Sequence, residues 1–98
     1  MEKLEKTFKQ YLDIRVGSGV RKTIETARKE DGAFNANVVD ALRKTFDFHG
    51  KGWNEAKRDA MFDAQAAIKP TLEAALGLER YQIDRVFSAM TLAAAEIA

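Results

Sequence analysis

From Leu4 to Ile97 the apolar residues recur at three- and four-residue intervals, and no run alternates long enough to make a half-buried strand. A chain patterned this way folds by turning several short helical stripes onto one shared core. Glycine and a single proline divide it, at Gly17-Ser18-Gly19, Asp31-Gly32, Gly50-Lys51-Gly52, Pro70 and Gly77. We therefore expect an all-α fold, a compact bundle of five or six short helices forming a single domain over residues 1–98.

The first helix is expected over about Glu2–Arg15, with Leu4, Phe8, Tyr11 and Leu12 on one face. The second runs to about Glu30, capped by the Ser18 hydroxyl, with Val20, Ile24 and Ala27 as a narrow stripe. The third starts near Asn35 or Asn37, either of which can cap it, and ends around Phe48; Val38, Val39, Leu42 and Phe46 face inward. The fourth starts near Trp53, with Trp53, Ala56, Ala60, Met61, Ala64 and Ile68 along its apolar face and Phe62 off that stripe. Pro70 ends or kinks it, and Thr71 to Leu76 form a short fifth segment. The last helix spans about Glu79 to Ile97. Beyond Phe87 it is apolar on more than one side, as in a central helix or one shared with a partner.

The chain has no cysteine, so disulfides, thiolate metal sites and cysteine catalysis are excluded. Sixteen basic residues against 15 acidic ones leave a net charge of +1, which argues against a strongly basic nucleic-acid binder and against an acidic DNA mimic. The N-terminus carries no apolar signal segment, and the apolar stretch Ala89–Ala95 is far shorter than the roughly 20 residues a membrane span requires. A soluble, cytoplasmic protein with no membrane association is the expectation. With one histidine and no nucleophile motif, P-loop or dinucleotide fingerprint, we expect no enzyme, no cofactor and no metal.

Lys69 to Met90 reads KPTLEAALGLERYQIDRVFSAM. Leu72, Leu76, Leu78, Ile83 and Val86 occupy the apolar positions of two helices meeting at Gly77, and the stretch resembles the helix-turn-helix of bacterial and phage repressors. The resemblance covers about a fifth of the chain. It implies DNA binding by residues 70–88, with Arg80, Tyr81, Gln82 and Arg85 on the exposed face of the recognition helix and the apolar end of that helix as a homodimer contact. Glu73 departs from the pattern, because the family places a small residue there, packed between the two helices. A glutamate at that point would be crowded and poorly solvated. Glu79 and Asp84 would also bring acids near DNA phosphates. The leading reading of the stretch is a helix corner inside a bundle, with Gly77 as a left-handed cap.

Three other groups stand out. Phe46-Asp47-Phe48-His49-Gly50-Lys51-Gly52-Trp53 sets aromatics around a mobile, positively charged turn. It reads either as a connector with Phe46 and Trp53 plugged into the core or as a recognition loop, and an exposed Phe48 would favour an interface. Glu55, Asp59 and Asp63 lie on one helical face near His49, but no Glu-x-x-His pair accompanies them, so a solvated face is expected. Arg21, Lys22, Arg28 and Lys29 make the second helix the most basic, again as a solvated face. The expected function is a small non-catalytic protein-binding module, an accessory subunit or a phage-type inhibitor of a larger complex. Its contact residues would be Phe48, Lys51, Trp53, Phe87 and Met90; the alternative is the helix-turn-helix-like DNA regulator.

Overall fold

Gly17 decides how the first helix gives way to the second. Its φ of 114° and ψ of 154° belong to a region essentially confined to glycine, and it turns the chain sharply after Val16. In the computed structural model, which describes all 98 residues, α1 is Glu2–Arg15 and α2 is Ser18–Glu30. Ser18 is thus the first helical residue and not the cap; Gly17 is the cap, with no side-chain bond. A cap is chosen by backbone geometry as well as by its hydroxyl, and the left-handed turn admits only the glycine.

Asp31 both ends α2 and starts α3 (Gly32–Gly50). Its backbone N–H bonds to the carbonyl of Ala27, and its carboxylate accepts from the N–H of Phe34 at 3.1 Å. The third helix therefore begins before Asn35 and Asn37, neither of which caps it, and it runs two residues beyond Phe48. The early start places Phe34 in the core beside Val38, Ala41 and Leu42, while Val39 is only half-buried.

Asn54 opens α4 (Glu55–Pro70), accepting from the N–H of Lys57 at 2.9 Å. Trp53 consequently precedes the helix, and its side chain is 67% exposed, not plugged into the core. Ala56 is exposed too, so the buried stripe of α4 is Met61, Ala64, Gln65 and Ile68. As the sequence suggests, α4 ends at Pro70 and a short separate segment follows. The chain passes through Pro70 in α-conformation and widens into one π-helical turn, Thr71–Ala75, whose Leu76 N–H bonds to the carbonyl of Thr71. Proline provides no N–H to the α ladder, and the looser turn is where the register shifts. Gly77, at φ 65°, then lets the Leu78 N–H close on the carbonyl of Leu72.

The fifth helix, α5 (Arg80–Ile97), lies against α1 and α3 and carries six buried residues: Ile83, Val86, Ala89, Met90, Ala93 and Ala94. The all-α bundle thus has five helices and one π turn. A core of 16 apolar residues draws on every helix, with Phe8, Leu12, Ile24, Leu42 and Ile68 among its largest members. Polar groups close the periphery. Arg28 on α2 reaches both carboxylate oxygens of Glu5 on α1, at 2.8 and 3.0 Å, and Asn35 on α3 at 2.7 Å. Arg21 pairs with Asp13 at 2.6 Å and with Glu25 at 2.8 Å. Two of the four cations on the basic second helix are thereby engaged within the chain. No helix is long and apolar enough to cross a membrane.

Candidate functional site

α3 packs against both α4 and α5, while those two helices pack little against each other. The space between them is a groove of about 420 Å³. Met61, Phe62 and Gln65 of α4 form one wall, Asp84, Phe87, Ser88 and Thr91 of α5 form the other, and Phe48 and His49 from the end of α3 complete it.

The aromatics of the groove belong together. Phe48 is half-buried and meets the rings of His49 and Trp53 edge-on, with centroids 4.7 and 6.0 Å apart. Trp53 does not line the groove and adjoins it only through the Phe48 ring. Phe62 is 55% exposed on the α4 wall, and Phe87 is half-buried on the α5 wall. Exposed aromatics gathered in one place differ from single surface apolar residues, because each keeps a large area ready for burial against a partner. Burial pushes the His49 pKa below its ordinary 6.5.

Of the expected protein contacts, Phe48 and Phe87 line this groove, and Trp53 adjoins it through the Phe48 ring. Lys51 lies on the adjoining turn, 3.5 Å from Asp47 and 5.4 Å from the centre of the Phe46 ring. Phe46 itself packs half-buried on the core, close enough to Gly50 that a β-carbon there would sit 2.7 Å from the ring. Met90 has no exposed surface, so it is a core residue and not a contact. The apolar excess of the last helix is burial within the chain, since α5 turns Ala89, Met90, Ala93 and Ala94 inward. Phe62 is absent from the expected contacts, and its signal in the sequence is its place off the apolar stripe of its own helix.

The residues of the helix-turn-helix-like stretch fare differently. Arg80, Tyr81 and Arg85 are exposed. The Arg85 guanidinium lies 5.5 Å from the centre of the Tyr81 ring and donates to the carbonyl of Arg15 at 3.4 Å. Gln82 is half-buried, and its side-chain oxygen accepts from the Glu79 N–H at 2.9 Å, closing the first turn of α5. Glu73 is exposed, not crowded between helices, and Ala74 beside it is exposed as well. The π turn directs Leu72 alone of its five residues fully into the core. Glu55, Asp59 and Asp63 all stand exposed on α4, and His49, also exposed, borders the groove. No protein-family model matches the chain, and no curated protein or solved structure shows significant similarity to it.

Proposed function

We propose that the chain is a non-catalytic protein-binding module whose contact surface is the groove between α4 and α5. It acts by occupying a surface of a larger complex, as an accessory subunit or an inhibitor does. One observation carries this reading: Phe48, Phe62 and Phe87, from three helices, leave their rings partly or largely exposed along a single groove, and the exposed Trp53 adjoins it through the Phe48 ring. Aromatic anchors in or beside a concavity are the usual source of binding energy at protein interfaces.

The test is affinity capture from a cell lysate with and without nuclease, comparing the natural chain with Phe62→Ser and Trp53→Ser. Both side chains are more than half exposed, so neither change opens the core. A stoichiometric protein that survives nuclease and is lost with either variant supports the module. A partner held equally by both variants removes the groove from the interface. A second reading, DNA binding through residues 70–88, draws on the joint exposure of Arg80, Tyr81 and Arg85 at the start of α5. It predicts a defined nucleic acid that nuclease releases and that Arg80→Ala with Arg85→Ala fails to capture.

A further inference from the structure

The walls of the groove differ in chemistry. Met61 and Phe62 on α4, with Phe48 at the end of α3, present carbon and aromatic surface. Across from them α5 presents Asp84, Ser88 and Thr91, with Phe87 between. An occupant that satisfies both walls carries an apolar stripe and a polar stripe side by side. Asp84 to Thr91 spans two turns of α5, about 10 Å, which matches two turns of a second helix with anchors at i, i+3 or i+4, and i+7.

Charge narrows the occupant further. Asp84 is the one carboxylate lining the groove, and it forms no ion pair within the chain. Of the acids next in sequence to lining residues, Asp47 lies against Lys51, and Asp63 is unpaired but does not line the groove. No lysine or arginine lines the groove, and its other titratable group is the exposed His49. The one fixed charge among the lining residues is therefore negative.

We propose that the groove receives an amphipathic helix of about two turns from a partner protein, seated by apolar anchors on the Phe48–Met61–Phe62 side and by a lysine or arginine at Asp84. This rests on the protein-binding reading above and names the partner's chemistry.

Trp53 is the only tryptophan and stands in ring contact with Phe48, so its emission reports occupancy. The probes are two helical alanine-based peptides with leucines at i, i+3 and i+7. One is flanked by lysines and the other by glutamates, and both lack tryptophan. At physiological ionic strength the lysine peptide shifts Trp53 emission to the blue and binds about two- to fivefold more tightly than the glutamate peptide. Asp84→Asn removes that preference, Asp63→Asn leaves it intact, and Phe62→Ser abolishes the binding of both peptides.

Equal binding of the two peptides, unchanged by Asp84→Asn, overturns the charge assignment while leaving the groove a protein site. If neither peptide binds but lysate capture still depends on Phe62, the occupant is not a helix of this kind and the inference fails alone. If capture is also indifferent to Phe62 and Trp53, the protein-binding reading falls with it. A dimer of the protein by itself in sedimentation, dissolved by Phe62→Ser, also overturns the inference and makes a second copy the occupant.

Discussion

Arg28 is where α1, α2 and α3 meet, and its side chain is only 9% exposed. Its guanidinium spans two oxygens of Glu5 and one of Asn35, a planar fork that a lysine ammonium does not reproduce. Arg28→Ala should therefore cost roughly 2 kcal/mol, a fall in Tm on the order of 10 °C, and Arg28→Lys should recover less than half of it. Thermal unfolding followed by circular dichroism measures both. A loss within about 0.5 kcal/mol for the alanine variant would mean the network is merely a surface arrangement. His49 makes a second prediction. Burial disfavours its charged form, so the unfolded chain binds the proton more readily than the folded one. Its contribution is thus stability that is present above the ordinary 6.5 and declines as pH falls through that value towards the lower folded one. With one histidine in the chain, the imidazole proton resonances titrate alone; a midpoint below 6.5 is expected, and one at or above it contradicts the burial.

Between elements, close approach depends on small residues. Ala89 and Ala93 of α5 have no exposed surface, on a helix lying against both α1 and α3. Ala93→Leu forces extra carbon into that contact and should destabilise by about 1–3 kcal/mol in urea unfolding, whereas Ala95→Leu, on an exposed position, should change stability by less than about 0.5 kcal/mol. The same helix shows what the sequence makes readable. Its stripe Ile83, Val86, Met90 and Ala94 follows from spacing alone, as do Leu4, Phe8 and Leu12 on α1 and Ile24 on α2. Helix starts were less legible. Ser18, Asn35 and Asn37 have suitable side chains, but Gly17 and Asp31 have the backbone conformations, and conformation decided. Trp53 fitted the helical spacing of Ala56 and Ala60, yet Asn54 caps the helix after it and leaves the indole outside. The groove was legible only in pieces. The sequence marks Phe48 and Phe87 singly, but their meeting with Phe62 depends on how α4 and α5 both pack on α3, which local periodicity does not encode.

As a whole the molecule measures 33 × 24 × 22 Å with a radius of gyration of 12.3 Å, close to the roughly 13 Å of a densely packed chain of about 100 residues. No buried side-chain polar atom lacks a partner, so the interior holds no unsatisfied group that calls for an absent ligand. The pairing of α1 with α5 sets an order of events during synthesis. The ribosome makes Leu4, Phe8 and Leu12 early, but much of their cover is made of residues up to Ala93, on the far side of three intervening helices. At ordinary elongation rates that interval is on the order of ten seconds. Until α5 emerges from the exit tunnel, α2 alone of α1's two main neighbours is at hand to cover that stripe, and a chaperone that shields the remainder has a defined segment to hold.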